Sequence, residues 1–128
     1  MNISLWLQWM ARAHPQRPAL FVGVRQIANY GQFDHCAAQA AAWFKASGIQ
    51  VGDRIALHLT NVPEYLILLY GAWYAGAVVV PINAKLHPRE VAWIMGDAEV
   101  ALTFASADLA APLQAHVHAQ TGVGRVID

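Results

Sequence analysis

Charged side chains are scarce in this sequence of 128 residues. Lys, Arg, Asp and Glu together make up 12% of the chain, whereas typical soluble domains contain roughly 25%. Apolar residues account for 57%. A chain of this size has much surface for its volume and needs polar side chains to cover it. The shortage therefore indicates either a membrane protein or a domain that leaves a large apolar face for another protein surface.

Neither sign of charge dominates among the few charged residues. Eight basic and eight acidic side chains give a formal net charge of zero. Domains that bind nucleic acid usually concentrate positive charge in a stripe or patch, because phosphate contacts dominate their affinity. Nucleic acid is therefore not expected as the main partner.

Cysteine is almost absent as well. Cys36 is the one cysteine in the sequence, so no disulfide can form within the chain. That pattern is typical of a reducing compartment, and we predict a cytoplasmic protein with Cys36 as a small buried apolar residue. The N-terminus carries no basic segment ahead of its apolar residues, so we expect no secretory signal peptide.

The longest stretch without charge, residues 65–84, has the 20 positions that a membrane-spanning helix needs. Gly71, Gly76 and Pro81 interrupt it, however. The first part is rich in leucine and aromatic residues, and the part after Gly76 is β-branched. We interpret it as a buried helix, a glycine stop and a buried strand, and predict no membrane span.

Apolar strands alternate with helical patterns along the whole chain. Because the strands are continuous apolar runs, we predict one α/β domain over residues 1–128, with a mostly parallel sheet and helices on both faces. The strands are expected at 19–23 (with "RQIA" as hairpin partner), 54–60, 77–80, 100–105 and "GRVID". The helices are expected near the N-terminus, after an Asn29–Gln32 capping box, from Pro63, from Pro88 and at 107–119.

Two of these helices carry further expectations. The helix that begins at Pro63 is apolar all round and should be enclosed on every side. In the first helix, Ser4, Gln8 and Arg12 form a narrow polar stripe, which predicts Ile3, Leu7 and Met10 on the opposite, packed side with Trp6 and Trp9 flanking it. Since Arg12 is the one cation of that stripe, packing is favoured over a membrane-surface helix.

Ligands of parallel sheets bind beyond the carboxyl ends of the strands. In "VPINAKLHPRE", the cations Lys85, His87 and Arg89 surround a helix start at Pro88, where free N–H groups and the helix dipole favour an anion such as a phosphate. An ordinary solvated turn with surface cations explains the same residues, and both interpretations stay open.

Other polar residues give weaker signals. Thr60, Asn61 and Glu64 at a strand end fit a helix cap with a first-turn carboxylate as well as a site. His58 fits a satisfied histidine in the core or at the end of the sheet. The remaining motifs argue against a site: His116 and His118 point to different sides of a helix, so no zinc centre is expected, and "TGVGRV" follows a helix, the reverse of a dinucleotide loop.

An ordered series of motifs resembles the N-terminal part of the acyl-CoA synthetases, which belong to the adenylate-forming superfamily. The matching segments are "HPQRPAL", "ANYGQFD" and the run from "SGIQVGDRIALHLTNVPEYL" through "AGAVVVPINAKLHPRE" to "DAEVALTF". The series covers about 100 residues. Asn29, Gln32 and His87 depart from the residues that this family prefers.

The resemblance implies a fragment of an ATP-dependent acid–thiol ligase, such as a long- or medium-chain fatty-acid–CoA ligase. Such enzymes join a carboxylate to AMP with MgATP and then transfer the acyl group to coenzyme A. The family's phosphate loop ending in Pro-Lys-Gly is missing from the 128 residues, so we expect no catalytic residue, no metal site and no activity in the chain alone. ATP, Mg²⁺ and CoA are implied for the parent enzyme.

The same resemblance implies a role for the basic turn. In relatives, a basic residue at the position of Lys85 contacts the phosphates of the CoA nucleotide, and Arg89 lies four residues further on. The expected partners are the remainder of the synthetase or a second copy of the chain, as a homo-oligomer. The alternative function is a freestanding α/β module that docks or dimerises through its apolar face.

Overall fold

The computed structural model describes residues 1–117 and the backbone of residues 125–127. Within that part of the chain, helices and strands alternate in the order that the sequence predicts. In chain order they are α1 (Leu5–Ala13), β1 (Pro18–Val22), β2 (Arg25–Asn29), α2 (Tyr30–Ala46), β3 (Arg54–His58), α3 (Pro63–Tyr74), β4 (Val78–Pro81), α4 (Pro88–Asp97), β5 (Leu102–Ala105), α5 (Ala107–Val117) and β6 (Arg125–Ile127).

These elements form two compact units. The first consists of Met1–Val51 with Asn61–Gly76, and the second of Gly52–Thr60 with Ala77–Asp128. The antiparallel β1–β2 hairpin and the helices α1, α2 and α3 belong to the first unit, and the sheet of β3 to β6 with α4 and α5 belongs to the second. That the chain folds as a single domain stays a prediction.

The second unit is built on a parallel sheet with the strand order β4-β3-β5-β6. β3 is hydrogen-bonded to β4 on one side and to β5 on the other. Ile55, Ala56 and Leu57 of β3 are all fully buried, although consecutive strand residues point to opposite faces. The predicted α/β class and the parallel sheet are therefore confirmed, and the continuous apolar runs reflect burial of both faces.

One face of this sheet packs against α4 and α5. Ala56 and Ala105 supply small side chains from β3 and β5, and Val91, Met95 and Leu113 of the two helices fill the space above them. α4 connects β4 to β5 across β3, because β3 lies between those strands. The loop that leads from β4 into α4 therefore starts at the carboxyl edge of the sheet.

In the first unit, α2 begins with the predicted capping box. The Asn29 side chain accepts a hydrogen bond from the Gln32 amide at 2.8 Å, and the Asn29 amide donates to the Gln32 side chain at 2.9 Å. α3 begins at Pro63 as predicted and ends just before Gly76, whose φ of +79° is the left-handed conformation of a helix stop. The predicted start of α2 and both predicted ends of α3 are therefore confirmed.

The prediction that α3 is enclosed on every side is wrong. Gly71 and Ala72 are its fully buried residues, and the side chain of Leu66 is exposed. The cause is the close approach of α3 to α2: a β-carbon added at Gly71 would lie 2.6 Å from the Ala40 β-carbon and 3.0 Å from the Ala37 carbonyl oxygen. Such a tight crossing buries the small residues at the contact and leaves the larger ones around it partly open.

The predicted orientation of α1 is right for Leu7 but wrong for Ile3 and Ser4. Ser4 and Leu7 face inward and are buried, whereas Ile3, Trp6 and Trp9 are exposed. Hydrogen bonds of Asn2, one to the distant Trp73 carbonyl oxygen and two from Ser4, explain the difference. Asn2 Oδ1 accepts hydrogen bonds from both the backbone amide and the hydroxyl of Ser4, so Ser4 turns towards the interior although it belongs to the polar stripe.

Two further expectations can be compared with the described residues. Cys36 is a free thiol but only half-buried, so it is not the fully buried residue that the sequence predicted. No helix in the described part of the chain has the length and apolar character needed to cross a bilayer. Residues 118–119, the end of the helix predicted at 107–119, lie outside the described residues.

The α2–α3 crossing makes a prediction for Gly71. Replacement by alanine should lower the free energy of unfolding by about 1–3 kcal/mol, because the new methyl group must displace the α2 backbone. Chemical unfolding of the purified chain measures this. Gly31→Ala is the matched control, since its β-carbon would meet no atom closer than 3.4 Å. Equal stabilities of the two variants would contradict the close approach.

Candidate functional site

The carboxyl ends of β3 and β5 meet at one edge of the sheet and are joined there by side-chain contacts. The Ser106 amide donates to the His58 carbonyl oxygen at 3.3 Å, and the Thr60 amide donates to the Ser106 hydroxyl oxygen at 3.0 Å. The hydroxyl oxygens of Thr60 and Ser106 lie 3.4 Å apart. Two of the three turns predicted to lie at a ligand-binding edge therefore come together.

The third turn, between β4 and α4, starts at the same edge. The Ile82 amide donates to the Leu57 carbonyl oxygen at 2.9 Å, which ties the end of β4 to β3. Asn83 then shapes the turn: its Oδ1 accepts from the Lys85 amide at 2.9 Å, and its carbonyl oxygen accepts from the Leu86 amide at 3.2 Å. The turn holds the backbone at Lys85 and leaves its side chain exposed.

His87 is the N-cap residue of α4. Its Nδ1 accepts a hydrogen bond from the Arg89 amide at 3.2 Å, and its own amide donates to Glu90 Oε2 at 3.0 Å. Glu90 also donates its amide to the His87 carbonyl oxygen at 2.9 Å. The His87 imidazole and the Glu90 carboxylate thus make the cap of α4. The family that the sequence resembles prefers Thr or Ser as the cap residue at this position.

This cap changes the argument for an anion at the helix start. The sequence interpretation relied on free N–H groups there, and that part is wrong: the amides of Arg89 and Glu90 are engaged, and Pro88 has none. The carboxylate of Glu90 already lies at the positive end of the helix. At this helix start, the exposed side chains of Lys85 and Arg89 are left as candidate anion-binding groups.

His116 makes a ring contact that the sequence did not predict. The rings of His87 and His116 pack edge to face with centroids 5.8 Å apart, a contact that sequence reasoning missed. His118 lies outside the described residues, as does most of the "TGVGRV" motif. Among the residues that the structure describes, no three His, Cys, Asp or Glu side chains form a group that could hold a metal ion.

His58 is the buried titratable group at this edge. Its side chain is 1% exposed, and its Nδ1 and the hydroxyl of Thr103 are buried without a hydrogen-bond partner in the described structure. Burial lowers the pKa of His58 below the ordinary 6.5, and hydrogen bonding at the Ile82 and Asn83 backbone and the charge of Asp108 oppose the shift more weakly. The sequence predicted a hydrogen-bonded histidine in the core or at the end of the sheet. The position at the end of β3 agrees with that prediction, but the unpaired Nδ1 does not.

The remaining candidates, Thr60, Asn61 and Glu64, do not form the helix cap that the sequence suggested. Val62, not Asn61, is the N-cap residue of α3, and it makes no side-chain cap bond. Glu64 lies in the first turn of α3, as predicted. Thr60 bonds to Ser106 and takes no part in a helix cap.

A comparison with protein families gives one match over nearly the whole chain. Residues 7–128 match the family described as AMP-binding enzyme. Among curated proteins, a crotonobetaine/carnitine–CoA ligase of Salmonella paratyphi A is 42% identical over 84 residues, which are 66% of this chain. The chain spans only 16% of that ligase.

Solved structures agree with this match. A fatty acyl CoA synthetase of Mycobacterium tuberculosis is similar with a TM-score of 0.89 and 33% identity, covering 98% of this chain and 26% of the synthetase. A benzoate CoA ligase of Burkholderia xenovorans has a TM-score of 0.88 at 20% identity, which shows a shared fold alone. It covers all of this chain and 26% of that enzyme.

The buried histidine makes a prediction about pH. Because the folded-state pKa of His58 is lower than 6.5, the unfolded chain binds a proton more readily than the folded chain as the pH falls. The stability that neutral His58 contributes is thus present above pH 6.5 and lost as the pH falls through the folded-state pKa. Urea unfolding from pH 8 down to about pH 4.5 should show this loss.

A variant and a control isolate the contribution of His58. His58→Gln should flatten the pH dependence below about pH 6.5, since glutamine does not titrate. His14→Gln is the matched control, since it removes one histidine at an exposed position. A His58→Gln variant with an unchanged slope would show that another group causes the acid sensitivity.

Proposed function

Since the chain belongs to the AMP-binding enzyme family, we propose that it serves in an ATP-dependent acyl-CoA ligase, as part of the N-terminal region of that enzyme. The observation that carries this proposal is the 42% identity to a CoA ligase over two thirds of the chain. The freestanding docking module is less well supported, because the similar proteins are ligases rather than interaction modules.

The proposed reaction has two steps. A carboxylate attacks the α-phosphorus of MgATP to give an acyl-adenylate and pyrophosphate, and the thiol of CoA then displaces AMP to give a thioester. The Pro-Lys-Gly loop associated with ATP in the resembling family does not occur in the 128 residues. The ATP steps are therefore assigned to other regions of such a ligase, and this chain supplies scaffold and CoA contacts.

The substrate class of the proposal is a carboxylic acid. The related ligase acts, by its name, on crotonobetaine and carnitine, and the related synthetase on fatty acids. Both groups share the carboxylate that adenylation requires, so the two types of acid are the ones to test. ATP and CoA are both available in the cytoplasm, which we propose as the location.

The CoA contact is proposed for Lys85 and Arg89. Both side chains are exposed, and both follow β4 at the carboxyl edge, where parallel sheets bind ligands. The turn built by Asn83 and the cap built by His87 fix the backbone on either side of them. A lysine in this turn and an arginine in the first turn of α4 suit the phosphates of the CoA nucleotide. Self-association through exposed apolar residues is proposed alongside the contact with the remainder of the ligase.

Carboxylate activation is the first test. The native protein that carries this chain should catalyse exchange of pyrophosphate into ATP in the presence of a fatty acid, crotonobetaine or carnitine, and should form the CoA thioester. The isolated 128 residues should catalyse no exchange, since nothing in them is assigned to the triphosphate. Pyrophosphate exchange by the isolated chain would refute the assignment of the ATP steps to other regions of the ligase. If the native protein catalysed no exchange with any of these acids, the ligase proposal would be refuted.

The CoA contact is tested separately. Lys85→Glu with Arg89→Glu should raise the KM for CoA roughly tenfold or more, because charge-assisted contacts to phosphate are lost. The rate of pyrophosphate exchange should stay unchanged. Lys45→Glu is the matched control, as an exposed lysine of α2. An unchanged KM in the double variant would remove Lys85 and Arg89 from the CoA site.

A further inference from the structure

His58 is a buried polar side chain in surroundings that are otherwise apolar. It ends β3, whose other buried residues are all apolar. Ala56 of the same strand packs against α4 and α5. Because residues two apart in a strand point to the same face, His58 points to this helix-covered face as well. A buried imidazole costs stability unless it is hydrogen-bonded, so its hydrogen bonds indicate its role.

The neighbour of His58 on the β4 side is the start of the turn between β4 and α4. The parallel pairing of β3 and β4 runs as far as Leu57 and Pro81. The Ile82 amide extends it by one bond, which it donates to the Leu57 carbonyl oxygen at 2.9 Å. Ile82 is buried in the same apolar cluster as Ala56, so it lies on the face to which His58 points. The imidazole therefore lies beside the first residue of the turn.

The Nε2 atom of His58 is the ring nitrogen that holds this turn. In the described part of the chain, Nδ1 is buried without a hydrogen-bond partner, which leaves Nε2 to interact. The ring forms hydrogen bonds with the backbone of Ile82 and Asn83, and these bonds favour its protonated form. Such bonds are donated by a ring N–H, so their acceptors are backbone carbonyl oxygens. The neutral tautomer with its proton on Nε2 fits both observations.

Asn83 connects this interior contact to Lys85. The Asn83 side chain accepts a hydrogen bond from the Lys85 amide at 2.9 Å, and the Asn83 carbonyl oxygen accepts one from the Leu86 amide at 3.2 Å. These bonds give the turn its shape, but they lie within the turn and do not tie it to the sheet. The hydrogen bonds of His58 supply that connection from the interior. The position of the Lys85 backbone therefore depends on His58.

We propose that His58 is a positioning residue for CoA binding: its Nε2–H holds the backbone of Ile82 and Asn83 and thereby places Lys85 for the phosphates of the CoA nucleotide. The proposal rests on the proposed contact of CoA with Lys85 and Arg89. His58 is 1% exposed, so it acts through the turn and not on CoA directly. Its effect is confined to CoA binding, because the ATP steps are assigned to other regions of the ligase.

Kinetics of the native protein that carries this chain test the proposal. His58→Met fills the buried space but lacks an N–H donor. It should raise the KM for CoA roughly threefold to tenfold, as expected for one lost hydrogen bond, and leave the rate of pyrophosphate exchange unchanged. His58→Gln should keep the KM near its native value, because the amide N–H of glutamine replaces Nε2–H. An unchanged KM in His58→Met, or an equal rise in His58→Gln, would overturn the proposal.

Thr103→Val is the matched control for a change in the core. Thr103 is fully buried in β5 and pairs with Ala56, so its side chain lies on the same sheet face as that of His58. Its hydroxyl has no hydrogen-bond partner in the described structure. Valine keeps the branched shape of threonine and removes this hydroxyl, and the KM for CoA should stay native. A rise equal to that in His58→Met would attribute the effect to general disturbance of the core and overturn the proposal.

Hydrogen exchange distinguishes a failure of this proposal from a failure of the CoA contact. In His58→Met of the native protein, the amides of residues 82–86 should exchange faster by roughly the same threefold to tenfold, because the turn opens locally more often. Thr103→Val should retain native exchange there. Native exchange of residues 82–86 in His58→Met would overturn the proposal. Faster exchange together with a native KM in the variant Lys85→Glu with Arg89→Glu would instead refute the CoA contact and support the hold of His58 on the turn.

Discussion

Burial of β3 on both faces is the constraint on which the candidate site depends. Ile55, Ala56 and Leu57 are fully buried, and ladders to β4 and β5 satisfy their backbone groups from either side. β3 ends at His58, whose carbonyl oxygen receives the Ser106 amide, while Leu57 receives the amide of Ile82. Both bonds fix where the loops after β4 and β5 begin, so the position of the basic turn follows from the packing of one strand.

The structure shows where the exposed apolar residues of this charge-poor sequence lie. Composition alone left a choice between a membrane protein and an apolar face offered to another surface, and α1 supplies such a face, with Trp6 and Trp9 outward and Leu7 inward. The partly open sides of α3 around Leu66 account for more of the surplus. The second unit carries the polar chemistry instead, at the edge with Lys85 and Arg89. Each unit thus presents its own candidate surface.

Sequence reasoning succeeded where a structure is decided within a few residues. The sequence correctly predicted the Asn29–Gln32 capping box, the helix starts at Pro63 and Pro88, and the continuous apolar strands. The hydrogen bonds and the burial of these elements follow from residues close together in the sequence. The sequence-based predictions failed where contacts between residues far apart in the sequence determine the structure. The rotation of α1 depends on Asn2 reaching Trp73, 71 positions away, and the His87–His116 contact depends on strand order. The hydrogen-bonded amides at the start of α4 could have been anticipated from Glu90, three residues after His87.

Hydrogen exchange of the backbone amides measures the central claim most directly. If β3 is the most protected element, the amides of Ile55, Ala56 and Leu57 should exchange only through global unfolding, and their exchange free energies should equal the free energy of unfolding. The amides of the exposed β1–β2 hairpin should exchange much faster through local opening. Exchange of the β3 amides as fast as that of the hairpin would contradict the account, since a strand that opens locally cannot fix the edge that carries the site.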